Sequence, residues 1–213
     1  MLKHTVLSIL LIFISLSIVA QTGLWTDKSI PQIDKYCRSI WGYNGQNVWA
    51  ASMEGVYFFD GENWSRMNNI RTGYYIWGTA SNNIYTVGYG NIYHFDGNRS
   101  KLVLSADIEC IWGTSSDNIY AIGKEVYHFD GISWEKILTN IGFDVYEIFG
   151  LNENTVYAVG DKGKVIKIKN NSIENITIGI IANNIDLRGI WGTAENNIYV
   201  TGSAGHIFHW NGT

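Results

Sequence analysis

The chain has 213 residues, 15 Lys and Arg against 19 Asp and Glu, and a formal net charge of −4, so it suits one domain with a full core and carries no basic footprint for nucleic acid. A hydrophobic share of 46% excludes disorder as the main state. One proline, 23 Gly, 9 Trp and 13 Tyr point to many short strands joined by tight turns rather than to helices.

Residues 1–20 read as a secretion signal. Lys3 and His4 give a positive start, Thr5 to Ala20 is uncharged and rich in Leu and Ile, and Ile18-Val19-Ala20 before Gln21 is an acceptable cleavage site. The apolar run is shorter than the about 20 residues that a membrane helix needs, although an uncleaved N-terminal anchor is the alternative. Export, to a periplasmic, cell-surface or fully secreted location, is therefore expected, with no membrane span after cleavage. It places Cys37 and Cys110 in an oxidising compartment, yet their positions in non-neighbouring repeats favour two buried, unpaired thiols over a disulfide.

Beyond the signal the chain repeats. Ile40-Trp41-Gly42, Ile76-Trp77-Gly78, Ile111-Trp112-Gly113, Ile148-Phe149-Gly150 and Ile190-Trp191-Gly192 place their aromatic residues 36, 35, 37 and 42 positions apart. Each is followed by an Asn-(Ile/Val)-(Tyr/Trp) landmark, such as Asn83-Ile84-Tyr85, with Thr155-Val156-Tyr157 standing in the fourth copy. A third apolar run ends in a turn, as in Ile92-Tyr93-His94-Phe95-Asp96-Gly97, and Trp64 and Trp134 open a fourth segment. Asp-Gly and Asn-Gly supply the positive φ that tight hairpins need, so each repeat predicts a four-stranded antiparallel meander. The third strand is apolar on both faces and needs neighbours above and below. Radial stacking of such sheets is an all-β propeller of about five blades, near residues 36–70, 72–106, 107–142, 144–184 and 186–213; a β-solenoid is the competing architecture.

The fifth repeat reaches Thr213 after three strands. Thr22-Gly23-Leu24-Trp25 resembles the start of a fourth strand, and Trp25 precedes Trp41 by 16 residues, close to the 13 from Trp64 to Trp77 and the 15 from Trp134 to Phe149. Residues 22–33 are thus expected to complete the last blade and close a ring, the alternative being that the chain is part of a larger propeller.

These landmarks resemble secreted bacterial β-propeller repeat proteins with Ile-Trp-Gly, Asn-Ile-Tyr-x-Val-Gly and His-x-Asp-Gly repeats. Asn47 to Ala51 and Gly55 to Gly61 are also similar to the propeller repeats in sensor domains of two-component regulators. The Asp-Gly-x-x-Trp turn loosely resembles the Asp-box of sialidase-type propellers without its Ser and Thr. The resemblance covers nearly all of residues 22–213 and implies a fold more than a function. The fourth repeat departs from it, with Lys167-Ile168-Lys169-Asn170-Asn171 in place of His-Phe-Asp-Gly.

No catalytic pattern stands out. His94, His128 and His209 occupy one slot in three different blades, filled elsewhere by Phe58 and Lys167, so they read as structural rather than as ligands of one metal. There is no Gly-x-Ser-x-Gly elbow, no catalytic Cys signature and no phosphate-binding glycine motif, and no cofactor or metal is implied. Asp60, Asp96 and Asp130 repeat as turn residues. A carboxylate pair brought together by the fold stays open.

Positions that vary within the fixed frame are the better guide to a site. Three residues before the repeated aromatic stand Arg38, Tyr74, Glu109, Tyr146 and Arg188, and five before it Tyr36, Thr72, Asp107, Asp144 and Asp186. Innermost propeller strands begin at one rim of the channel, so these slots are expected to ring its mouth, as ligand contacts or as a girdle of ion pairs. The b–c loops at Met53-Glu54, Lys124-Glu125 and Asp161-Lys162 are short, which favours a binding module over a deep catalytic pocket. The reading is a secreted, monomeric, non-enzymatic propeller that binds a glycan or protein partner at the channel mouth. A sialidase-like hydrolase or lyase using Arg38, Arg71 and Arg188, and a sensor-type ectodomain, are the alternatives. Trp41, Trp77, Trp112 and Trp191 are all expected to be buried.

Overall fold

The runs of β-branched and aromatic residues form eighteen strands and no α-helix among the described residues, 27–30, 36–178 and 184–212, of a computed structural model. Two compact units divide the chain, Met1–Pro31 and Gln32–Thr213. In the first, Asp27 accepts a hydrogen bond from the Ser29 backbone N–H at 2.8 Å. The signal at 1–20 lies outside the described residues, as does the expected closing segment 22–33 apart from residues 27–30, which form no strand. The eighteen strands of the described residues belong to the second unit.

Blade 1 holds β1 (Cys37–Asn44), β2 (Asn47–Ser52), β3 (Gly55–Phe59) and β4 (Trp64–Met67). Blade 2 holds β5 (Tyr75–Ala80), β6 (Asn83–Gly88), β7 (Gly90–Phe95) and the first part of β8 (Ser100–Ser115). The rest of β8 opens blade 3, with β9 (Asn118–Gly123), β10 (Val126–Phe129) and β11 (Trp134–Leu138). Blade 4 holds β12 (Val145–Asn152), β13 (Thr155–Gly160), β14 (Val165–Lys169) and β15 (Ser172–Asn175), and blade 5 holds β16 (Leu187–Ala194), β17 (Asn197–Gly202) and β18 (Ile207–Trp210). Each blade is an antiparallel meander in chain order. β8 runs unbroken from the outer edge of blade 2 to the inner edge of blade 3, joining them into one seven-stranded sheet.

The turns explain the Asp-Gly punctuation. Asp60, Asp96 and Asp130 each accept hydrogen bonds from two backbone N–H groups of the turn, at 2.8–3.0 Å, which hold their carboxyls below the usual range. Trp64 and Trp134 then fold over Phe59 and Phe129, with ring centroids 5.1 and 5.2 Å apart. Blade 4 replaces this device with Asn170-Asn171, both at positive φ, a two-residue hairpin turn between Lys169 and Ser172. The enlarged connection after it contains a short β15, followed by Ile176 and Ile178, whose N–H groups donate to Val165 and Gly163.

Strand periodicity builds four cores, one between each pair of consecutive blades. In β9, Ile119 and Ala121 face blade 2 while Tyr120 and Ile122 face blade 4, so the central strand is buried on both sides. Across each sheet the repeated aromatic of the first strand pairs with the aromatic of the second: Trp41 with Trp49, Trp77 with Tyr85, Trp112 with Tyr120, Phe149 with Tyr157 and Trp191 with Tyr199.

The glycine of the tripeptide is dictated from two sides. A β-bulge follows it in all five first strands. A Cβ at Gly78 would stand 2.7 Å from the Asn83 carbonyl oxygen and 3.1 Å from the Trp41 ring. A Cβ at Gly113 would meet Trp77 at 2.7 Å, and one at Gly150 would run into the Trp112 ring. Each indole thus lies over the glycine of the next blade. At the fourth junction Phe149 replaces Trp, and Gly192 meets its own hairpin at Asn197 and Ile198.

The end blades depart from the expected burial. Trp191 is 56% exposed, with Tyr199 and Ile207 also open on blade 5, and Ile40 on blade 1 is 67% exposed. The other three repeated indoles, Trp41, Trp77 and Trp112, are half-buried because each has a following blade against which to pack. Cys110 is buried as expected, but Cys37 is exposed, because it begins β1 on an end blade; both thiols are free.

These contacts set the order of stabilities. Trp112→Ala should cost about 3–5 kcal/mol and Trp191→Ala under about 1 kcal/mol by chemical denaturation. Gly150→Ala, blocked by the Trp112 ring, should cost about 1–3 kcal/mol, while Gly45→Ala, with nothing near its Cβ, should stay within about 0.5 kcal/mol of the parent.

Candidate functional site

Where the innermost strands begin, residues from all five blades line one cavity of 910 Å³. Arg38, Glu109, Tyr146 and Arg188, four of the five residues singled out in the sequence, line it, together with Tyr36, Asp107 and Asp144. The b–c loop contributes Lys124, whose Nζ lies 2.6 Å from Asp107 Oδ2. Tyr74 does not line this cavity, and Thr72 lines a different one.

A backbone detail helps to bring these residues together. In blades 1, 3, 4 and 5 a register shift falls at Cys37/Ser39, Ile108/Cys110, Val145/Glu147 and Leu187/Gly189. A bulge lets two consecutive residues turn toward one side of a strand. Glu109, Tyr146 and Glu147 reach the cavity from such positions. In blade 2 the register of β5 with β6 begins at Tyr75, which lines the cavity, while Tyr74 packs on Tyr89 with ring centroids 5.5 Å apart. Tyr75 and Glu147 stand one residue nearer the repeated aromatic than the slots singled out in the sequence. Two before the aromatic the copies read Ser39, Tyr75, Cys110, Glu147 and Gly189, which vary just as widely.

The Tyr75 hydroxyl donates to the Tyr146 carbonyl oxygen at 2.7 Å, tying blade 2 to blade 4 across the channel beneath the mouth. Burial pushes its ionisation and that of Cys110 well above their ordinary ranges, so both stay neutral. Above them the charges divide. Arg38 and Arg188, from the first and last blades, sit over the rings of Tyr74 and Tyr146 at 5.2 and 4.6 Å. Arg188 also bonds Asp186 at 3.0 Å, one element of the girdle alternative. Blades 3 and 4 present Asp107, Glu109, Asp144 and Glu147. Partial enclosure, then repulsion from Asp107 and Asp144, raises the Glu109 carboxyl. Burial raises Glu147, against the pull of the Ile148 N–H at 3.1 Å.

The other candidates fall elsewhere. Arg71 lies over Tyr93 at 5.7 Å and lines the separate cavity of Thr72, so Arg38, Arg71 and Arg188 do not share one site. His94, His128 and His209 each bond through Nε2 to the Asn of the preceding strand, Asn83, Asn118 and Asn197, at 2.7, 2.7 and 2.9 Å. Each also packs on a tyrosine, with centroids 4.3–4.6 Å apart. The slot is structural: Phe58 fills it on Trp49 in blade 1, and Lys167 fills it in blade 4, bonded to Glu195 of blade 5 at 2.7 Å. Among the described residues no group of three His, Cys, Asp or Glu could hold a metal ion, and no helix is long and apolar enough to cross a membrane.

No family model and no curated protein sequence matches the chain. Solved structures do. One is YCF48 bound to D1 peptide, with a TM-score of 0.64 at 11% identity, covering 90% of this chain and 70% of that one. A second is the WD40 β-propeller domain of Doa1, at TM-score 0.65 and 12% identity over 83% of this chain and 64% of that one. A third is the extracellular domain of the hybrid two-component system BT3049 from B. thetaiotaomicron, at TM-score 0.62 and 12% identity. The match covers 84% of this chain but spans only 29% of the BT3049 domain. At such identities the likeness establishes the fold: the chain is a β-propeller.

Burial lowers the affinity of His94 and His128 for protons, below the ordinary 6.5. Above about pH 6.5 both states hold them neutral; below it the unfolded chain takes up protons first, so stability falls with pH. Thermal melts from about pH 8 to about pH 5 should show this loss. It should shrink in His94→Phe/His128→Phe, which copies the residue that blade 1 uses in the slot.

Proposed function

We propose that this propeller is an exported binding module that holds a polypeptide segment of a partner across its channel mouth. The observation that carries the reading is the division of charge among the blades of the mouth, with Arg38 and Arg188 from blades 1 and 5 and Asp107, Glu109, Asp144 and Glu147 from blades 3 and 4, where Lys124 pairs with Asp107 alone of the four. Such an arrangement fixes the direction of a chain that carries both signs, and places arginine and tyrosine where binding energy concentrates. The cavity is open and rimmed by short loops, which suits a chain laid across it better than a small substrate enclosed within it. The likeness to YCF48, whose structure was solved with a bound D1 peptide, supports the same use of the fold. The sensor propellers of B. thetaiotaomicron offer a second reading, in which the partner belongs to a signalling receptor.

Arrays of synthetic peptides and of oligosaccharides, probed with the purified protein, test the proposal. Peptides of mixed charge should be retained, and Arg38→Ala/Arg188→Ala should weaken them at least about tenfold while leaving the melting temperature unchanged. Retention of oligosaccharides alone at the mouth would sink the peptide reading. A large drop in melting temperature would assign the arginines to the girdle instead.

A further inference from the structure

A second cavity, of 610 Å³, lies between blades 1 and 2 and shares no lining residue with the channel mouth. Three independent features mark it. The first is charge. On a chain with net charge −4, its walls carry two guanidinium groups, Arg66 and Arg71, against one carboxylate, Glu54. Both arginines are held in place: Arg66 Nη2 donates to the Glu54 carbonyl oxygen at 2.6 Å, and Arg71 lies over the Tyr93 ring.

The second is an unspent hydroxyl. Thr72 lines the cavity, and its Oγ1 is shielded from solvent with no hydrogen-bond partner. A buried polar group left unpaired is costly and calls for a reason.

The third is Tyr89, at the rim. Its φ is +53°, a left-handed conformation that bulky residues rarely adopt, and the residue is 70% exposed. The same turn in blades 4 and 5 carries Lys162 and Ala204, each followed, like Tyr89, by a glycine at positive φ. The turn therefore belongs to the fold, but the aromatic ring belongs to blade 2 alone. An exposed tyrosine gains little burial in return for that strain, which marks it as a candidate functional group.

Together these groups match one chemistry. A sugar ring lays its C–H face on a tyrosine, offers hydroxyls to a hydroxyl partner, and, if carboxylated, presents a planar anion to a guanidinium fork. The geometry points to the groove between blades 1 and 2 as a binding site for a carboxylated sugar residue, held by Arg66 and by Arg71 on its Tyr93 support, with Tyr89 as the platform and the Thr72 hydroxyl at the wall.

The test is a calorimetric titration of the full chain with a glucuronate-containing tetrasaccharide, with its carboxyl-reduced counterpart, and with an acidic peptide of equal charge. The glucuronate form should bind saturably and at least about tenfold more tightly than the other two. Arg71→Ala should lose about tenfold or more, whereas Arg188→Ala, at a side chain that packs on Tyr146 at the mouth, should change nothing, which separates this groove from the mouth. Tyr89→Gly suits the positive φ, so it should keep or raise the melting temperature while weakening the sugar at least about fivefold. Absence of saturable binding, equal affinity for the reduced sugar, or equal affinity for the peptide would overturn the assignment. So would a Tyr89→Gly variant that binds as tightly as the parent.

Discussion

The structure depends on an indole laid over a glycine. A tryptophan of one first strand covers the glycine of the next, and no side chain fits in that space. The contact explains why Ile-Trp-Gly recurs as a unit. Isoleucine and tryptophan alternate across the strand, and glycine receives the preceding blade while its carbonyl-crowded bulge bends the strand. It also sets the spacing between neighbouring innermost strands, which in turn allows the middle strands to be covered on both faces. Weakening one lock therefore loosens a whole interblade core and not a single side chain.

The bulges near the start of the same strands serve the channel. They turn consecutive residues toward one cavity and let a short strand present more chemistry than simple alternation permits. In blade 2 Tyr75 is a cross-channel pin, and Tyr74 is the link between Arg38 and Tyr89. The mouth thereby acquires a floor of neutral groups and a rim of divided charge. Side-chain identity does the rest, since the backbone frame is shared among blades.

Much of the fold was legible because the repeat multiplies each local signal five times. Strand pairs, turn types and the structural role of Asp60 or His94 follow from their recurrence. Three things were not legible in the same way. Burial of Trp191 depends on which face has a neighbour, and the repeat treats every copy alike. Continuity of β8 depends on Ala106 and Asp107 staying extended, although they lie where blades otherwise separate. The choice between Tyr74 and Tyr75 depends on which of two adjacent tyrosines turns into the cavity, and residue type does not mark that. The groove between blades 1 and 2 escaped for a related reason: Arg66, Arg71 and Tyr89 lie far apart within the repeat, and only packing of adjacent sheets brings them together.

The unbroken β8 has a consequence for how the molecule comes apart. A sixteen-residue strand hydrogen-bonded to β7 along one part and to β9 along the other cannot release one blade without freeing an edge of its neighbour. Blades 2 and 3 therefore form a single cooperative body, while the remaining blades are joined to it through side-chain packing, connecting loops and single hydrogen bonds such as Tyr75 to Tyr146 and Ile76 to Ser39. Amide exchange in the two fused blades would share one opening event, slower than that of the flanking blades, and the chain would fold outward from this paired centre toward blades 1 and 5.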